Sequence, residues 1–444
     1  MTESSEVRRQ VVHVLVGAFA LLLRVLTWWQ AALMAVAAVL FNLLILPRVA
    51  PAVFRPGDLT APLKSGIVIY PLAVLALILF FPERPVIAAA SWGVLAAGDG
   101  FATLVGAHVR TPALPWNRMK STGGLVAFIA CGALAAVGLA AWTTNGAMSP
   151  PWWWIIAAPV AAAVVAGFAE TVPIRLNDNI TVPAMAALVL WSLGAVDGAS
   201  IRHAVPVVLA RLGPAAAANG AAAFLGWRAR TVTIPGAVAG WVIGTAIFLG
   251  AGWQGWVLLI TAFAAVAIAT RAGFRRKAIV GIAEEREGRR GPGNAIANTG
   301  LAAWAALVAL GMGHPNLATL AMVAALVTAS SDTIASEVGK AWGKTTWLIV
   351  GWRRVPPGTS GAVSSEGTAA GIAASFGLAA LAFALGLIPA SLIPGVVLAS
   401  TLASFAEGAL GALFEGPGIL NNDVLNFLNS AIGAALALLV ATIW

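Results

Sequence analysis

Long apolar runs separated by short polar interruptions make up most of the chain. About fifteen can be marked, at 11–27, 29–46, 65–81, 85–98, 123–142, 152–170, 181–197, 203–226, 233–250, 253–273, 294–311, 315–331, 366–387, 390–411 and 425–443. Most approach the roughly 20 residues that a helix needs to cross a bilayer. The run at 203–226 is interrupted by Pro206 and Pro214. The pattern predicts an all-α, polytopic integral membrane protein with about 15 transmembrane helices. No cleavable leader is expected, because the first run lacks a small-residue cleavage site and another run follows at once.

Composition agrees with this reading. Of 444 residues, 60% are hydrophobic and 10% charged, against roughly 25% charged in soluble domains. The one cysteine, Cys131, excludes a disulfide within the chain. The net charge of +9 reads as basic cytoplasmic loops of a membrane protein, not as a nucleic-acid surface. With the N-terminus in the cytoplasm, Lys and Arg fall overwhelmingly on one side, and little beyond Arg84 and Arg202 lies opposite. This predicts an inner-membrane protein whose polar loops after Asp99 and Asp332 are cytoplasmic. The charged stretch 274–292 reads as a cytoplasmic linker helix.

Two halves share one order of features. The first has Asp99, then "KSTGG" from Lys120, then "FAE" ending at Glu170, then Asn177, Asp178 and Asn179. The second has Asp332, then "SSEGT" from Ser364, then "FAE" ending at Glu407, then Asn422 and Asp423. The recurrence predicts two parallel related repeats, 1–200 and 201–444.

Charges are scarce enough here that acids at span ends are functional candidates. On a helix, Asp99 shares a stripe with Ala102, Thr103 and Gly106, and Asp332 with Ala335, Ser336 and Gly339. Carboxylates and hydroxyls suit Mg²⁺. Glycines and hydroxyls at a helix start suit an anion, and Gly358, Thr359, Ser360, Gly361 and Ser365 form such a stretch, as Ser121 does in the first half. Together these predict nucleotide-phosphate chemistry at the inner membrane face. The candidate metal ligands are Asp332, Asp99, Glu407, Asp423, Glu170 and Asp178. A transporter or lipid flippase, and a cytidylyltransferase forming a CDP-lipid, are the alternatives. Against the first, the acids sit at span ends beside Ser/Gly loops.

The motifs also carry a family resemblance. "RRQVVHVLVG" with His13, "GDGFATLVG", "LPWNRMKSTGG" and "AETVPIRLNDNITVP" resemble the phytol and dolichol kinases, a family of prenyl-alcohol kinases. "GPGNAIANTG" with Asn298, "SSDTIASEVG", "VPPGTSGAVSSEGT" and "NNDVLNFLNS" with Asn426 resemble the uncharacterised-domain family that includes plant phytyl-phosphate kinase. The resemblance implies a fused isoprenoid kinase. It would phosphorylate a prenyl alcohol, of phytol or geranylgeraniol type, to the monophosphate and then to the diphosphate, with CTP or another nucleoside triphosphate as donor. Asp332, Glu337, Glu366, Asp99 and Lys120 are its candidate catalytic residues. The first half departs from the pattern. The alcohol kinases usually carry an acid in Lys-Ser-x-Glu-Gly, but Thr122 and Gly123 stand there, and Leu104 stands where the second half has Glu337.

Overall fold

The computed structural model describes residues 3–50, 54, 65–144, 150–172, 177–283, 288–312, 316–416 and 420–443. They form two compact units, Met1–Ala195 and Val196–Trp444. Both are helical. Among the described residues, 11 helices are long and apolar enough to cross a membrane, and Gly66–Phe80 and Asp178–Leu193 are shorter apolar helices. The fold class is therefore as expected, while the helices do not map one to one onto the fifteen runs. The clearest difference is one 38-residue helical run, Ile234–Arg271, kinked at Gly252 (φ 69°) where two runs were expected. At about 1.5 Å per residue it is long enough for two crossings. Arg211 donates to the carbonyl of Leu249 at 2.8 Å, beside the kink.

In the first unit, α1 is Glu3–Val16, α2 Trp28–Val49, α3 Gly66–Phe80 and α4 Pro85–His108. A two-stranded hairpin follows, β1 (Ala113–Leu114) and β2 (Asn117–Ser121). Then come α5 (Thr122–Thr143), α6 (Trp152–Glu170) and α7 (Asp178–Leu193). Proline sits inside α3, α6 and α7, as membrane helices tolerate when neighbours satisfy the freed carbonyls. A π-helical stretch, Val94–Asp99, interrupts α4 and ends on the acid; such wide turns concentrate at functional sites. The hairpin is tied down by Trp116 and Asn117, which donate to the side chain and carbonyl of Thr171, each at 3.0 Å. That anchor carries Lys120 to the end of α6.

In the second unit, α8 is Gly198–Arg228, α9 Ile234–Arg271, α10 Phe274–Ile279, α11 Pro292–Leu310 and α12 Asn316–Trp342. An antiparallel sheet ordered β4-β3-β5 follows, from β3 (Thr346–Leu348), β4 (Arg353–Val355) and β5 (Ala362–Ser364). The unit closes with α13 (Ser365–Ala384), α14 (Ala390–Glu415) and α15 (Asn422–Ile443). Helix α12 is central: every residue from Met322 to Val327 is buried, packed in a cluster with Leu258, Ala306, Leu378, Val396 and Ala434. A second π-helical turn, Gly411–Glu415, ends α14 on another acid.

The expected linker helix at 274–292 is corrected. Only Phe274–Ile279 is helical among the described residues, and 284–287 lie outside them. Residues 275, 276 and 278–281 are exposed, as a surface segment would be, but the lysine among them is not. Lys277 is 1% exposed, and Arg290 pairs with Val232 in a parallel bridge.

Candidate functional site

Each unit gathers its acids. In the first, ligand oxygens of Asp99, Glu170 and Asp178 all lie within 4.8 Å of one another. They come from the π turn of α4, the last residue of α6 and the first of α7. Lys120 on β2 bonds Glu170 and stands 3.7 Å from Asp178. Burial alone would lower the pKa of Lys120, but the two carboxylates outweigh it and hold it above the ordinary lysine value. His13 approaches Asp99 at 3.5 Å and the Leu95 carbonyl at 3.3 Å. Its ring lies edge-on to Tyr70 at 4.7 Å, and the Tyr70 hydroxyl accepts from Trp92 at 2.8 Å. Three convergent carboxylates form an oxygen set of the kind that hard divalent cations take.

The second unit builds a cavity of about 360 Å³ instead. Its wall includes Asp332, Glu407 and Glu415, the cations Lys340 and Arg290, and the loop Gly358, Thr359, Ser360 and Gly361. Asn422, Asn426 and Ser336 also reach it. With Glu337, which also reaches the wall, four carboxylates share one polar space. Ser404 lines the same wall as Asp332, and Ser360 donates to Glu415. Gly361 has φ 74° and lies where an added Cβ would strike the Gly408 carbonyl. Glycine is required there on both counts, and it brings the loop against α14.

Behind the cavity lies an ion-pair lattice. Lys277, fully enclosed, donates to the Thr270 carbonyl at 2.8 Å and to Glu337. The other Glu337 oxygen is 3.7 Å from Lys340. Arg290 is held by the Asn294 side chain at 2.8 Å and Thr270 Oγ1 at 3.4 Å.

The local architecture at the following helix start is the same in both units. Ser121 caps α5 by accepting from Gly124, and Ser364 caps α13 by accepting from Gly367, at 3.2 and 3.1 Å. A Cβ on Gly124 would meet the Ala102 carbonyl, Ser121 Oγ and Gly106; one on Gly367 would meet the Ala335 carbonyl, Ser364 Oγ and Gly339. The residues correspond one for one, and they place Gly123 opposite Glu366.

Several expected site residues sit elsewhere. Ser364, not Ser365, is the cap on the cavity wall. Glu366 lies outside that wall and accepts from the Lys344 backbone at 3.4 Å and from Ser365. Asp423 lies against Gly293 at the start of α11 and is not on the cavity wall. Asn298 is buried and donates to the Asn294 carbonyl. Asn177 caps α7, and Asn179 donates to the Gly66 carbonyl at 3.3 Å. Glu337 reaches the cavity wall but spends its charge on Lys277. The sequence reading missed Glu415, Arg290 and Lys277. A signal existed for the last: an acid such as Glu337 inside an apolar helix needs a counter-cation, and 274–277 is the richest basic run.

A family model described as integral membrane protein DUF92 matches residues 217–434. The chain is 37% identical over 212 residues to Protein VTE6, chloroplastic, of Arabidopsis thaliana, covering 46% of this chain and 64% of that protein. It is 42% identical over 201 residues to the uncharacterized membrane protein sll0875 of Synechocystis sp., covering 45% of this chain and 78% of that one. It is 30% identical over 137 residues to the probable phytol kinase 3, chloroplastic, of Glycine max, covering 30% and 43%. The chain thus spans just under two thirds of VTE6 and less than half of the phytol kinase. No solved structure matches.

Proposed function

Since the chain belongs to the DUF92 family of integral membrane proteins, we propose that it is a membrane-embedded isoprenoid kinase. The second unit phosphorylates a prenyl monophosphate to the diphosphate, and the first phosphorylates the prenyl alcohol. The donor is a nucleoside triphosphate, with CTP the first candidate, together with Mg²⁺. The sites face the cytoplasm.

One observation carries the reading: in the second unit, four carboxylates, two cations, a glycine-rich loop and the start of α13 line a single cavity. Phosphoryl transfer needs little from a protein besides positioning and charge neutralisation. Asp332, Glu407 and Glu415 line that cavity without converging as the first unit's trio does, so an Mg²⁺ there would be held by one or two of them together with the donor phosphates, whose charge it would neutralise. Lys340 and Arg290 balance the transferred phosphoryl group. The start of α13 presents backbone N–H groups and the positive end of its dipole. In the first unit, Asp99, Glu170 and Asp178 fit the same ion.

The chemistry of the acceptors supports the division of labour. A phosphate monoester arrives already ionised and needs no strong base. An alcohol must lose a proton as it attacks, and only the first unit's site carries an imidazole, His13; among the described residues no histidine lines the second unit's cavity. The resemblance to relatives named as phytol kinases supports an alcohol as one of the acceptors, without assigning it to either unit.

The test is product mass. Purified protein in lipid nanodiscs is incubated with CTP, ATP or UTP, Mg²⁺, and C15 to C20 prenyl alcohols or monophosphates. Mono- and diphosphate products are expected. A CDP-lipid product would replace the kinase with a cytidylyltransferase, and no product with any donor would sink the reading.

A further inference from the structure

We infer that the seam between α13 and α14 is a lateral doorway through which the substrate's isoprenoid tail leaves the second unit's cavity for the bilayer. Ile372 and Phe405 form its two sides. The inference rests on the kinase reading of that cavity and adds where the lipid lies.

The need for a doorway follows from size. About 360 Å³ is at the lower end of ligand pockets, roughly 300–1,000 Å³. It can take phosphates and part of a nucleotide, but not a long prenyl chain as well. Burying the polar head among charges and leaving the tail in hydrocarbon requires an opening at membrane depth.

The cavity wall descends along two helical stripes. On α13 it runs through Thr368, Ile372 and Ser375, and on α14 through Thr401 and Phe405, spacings of three and four that keep each set on one face. Ile372 lines the cavity and is still 42% exposed. It also belongs to the exposed stripe of α13 with Ala369, Ala373 and Phe376, which places it at the edge where the cavity wall meets the outer surface. The alternative exit, past α12, is sealed: a Cβ on Gly371 would lie 3.0 Å from Ala335 and 3.3 Å from the Ser331 carbonyl.

The seam is closed below. Ser400 donates to Ser375 at 3.0 Å, with both residues at most 1% exposed. Deeper still, Leu378, Ala379 and Ala382 on α13 join Val396 and Ala399 on α14 in the buried core. The opening thus has a floor at the serine pair and apolar sides above it. Outside it, Phe376 and Leu402 stand 59% and 47% exposed, continuing an apolar path along the bilayer-facing surface.

Two variants and one label test this. Ile372→Trp narrows the doorway and Phe405→Ala widens it. The readout is the ratio of kcat/KM for a C20 prenyl monophosphate to that for the C5 dimethylallyl monophosphate, whose tail is too short to reach the seam. I372W should lower this ratio by about tenfold, the scale on which an apolar pocket senses a methylene or two. F405A should leave the C20 substrate favoured. An equal loss on both substrates in I372W, or no change in the ratio, would overturn the doorway. Independently, a C20 prenyl monophosphate bearing a diazirine on its last isoprene unit should crosslink within 368–376 or 398–405. Labelling of the apolar groove formed by Phe224, Val238 and Trp241 would overturn it instead. If the wild-type protein turns over no prenyl phosphate, the kinase reading falls, while the crosslink position still decides where the lipid sits.

Discussion

Two acidic sites, one in each unit, are set on the same local frame and finished differently. In both, an acid-bearing helix meets a serine-capped helix whose third residue is a closely packed glycine: Ala102, Ser121 and Gly106 crowd Gly124 as Ala335, Ser364 and Gly339 crowd Gly367. Around that frame the first unit puts Lys120 directly onto its acids and His13 beside Asp99. The second puts Val363 where Lys120 stands, pairs Glu337 with the enclosed Lys277 and with Lys340 on the wall, and spends the space on a cavity and a glycine loop. The frame therefore belongs to helix packing, and the chemistry to what is hung on it. A site with an imidazole suits an acceptor that must be deprotonated, and an open, cation-lined site suits an acceptor that already carries phosphate.

The strongest way to break this comparison is to neutralise one acid at a time. Asp332→Asn should lower monophosphate phosphorylation by about 10²–10³-fold, the usual cost of losing a preorganised electrostatic contributor. Alcohol phosphorylation should persist. Asp99→Asn should do the reverse. Paired product assays check it, and loss of both reactions from Asp332→Asn alone would make the first unit a scaffold. Next, His13→Asn should cost the alcohol reaction about a hundredfold, at the low end for a proton-transfer group, and leave diphosphate formation intact. A matching fall in both reactions would remove the chemical distinction between the sites.

Stability sharpens the same contrast. Lys277→Met leaves the enclosed Glu337 with only Lys340, 3.7 Å away, so thermal unfolding in detergent should register a loss approaching the roughly 3–5 kcal/mol of a broken buried pair. Lys120 has its side chain 34% exposed while Glu170 is only 4% exposed, so Lys120→Met should cost less than Lys277→Met, roughly 1–3 kcal/mol, the scale of leaving one buried acceptor unsatisfied. Because the Glu170 and Asp178 carboxylates raise the Lys120 pKa against the effect of burial, its contribution is complete below the ordinary lysine value. It fades only as pH rises through the raised one, so the Lys120→Met difference should stay flat from about pH 6 to 9. Equal losses in the two variants would show that the second unit's lattice is no more enclosed than the first unit's pair.

How much of this was legible depended on the cost of being wrong in a membrane. An acid in an apolar helix is expensive wherever it is not paired or liganded, so Asp99, Glu170 and Asp178 could be singled out from the chain alone, and the structure brings them within ligand distance of each other. The same logic found Asp332 and Glu407. It failed for Glu415, which ends a run that a π turn extends, because a one-residue change in winding leaves no trace in periodicity. It failed for Lys277 and Arg290 because a basic run reads as solvated until the fold encloses it. The two small sheets were invisible as well: strands of two to five residues are too short for a period-two pattern to register. The Asn residues near 177 and 422 divided by position. Asn177 serves the helix end, whereas Asn422 and Asn426 reach the cavity, and nothing in their type separates those duties.

The smallest expected effect concerns the residue whose absence from the first half is its most visible departure from the alcohol-kinase pattern. Structural correspondence puts Gly123 opposite Glu366. In the first unit the Gly123 N–H donates to Thr111 Oγ1 at 2.9 Å, and an added Cβ would crowd that threonine, so the position is closed to an acid as built. In the second unit Glu366 lies off the cavity wall, bonded to the Lys344 backbone and to Ser365. A carboxylate in the first turn of α13 favours the helix through its dipole, which is an effect on the scaffold and not on the reacting groups. Glu366→Gln should therefore change the rate of either reaction by no more than about twofold, the scale of surface substitutions away from a site. If diphosphate formation instead falls by the margin expected for Asp332→Asn, Glu366 acts on substrate. The missing acid would then mark the first unit as the weaker of the two sites.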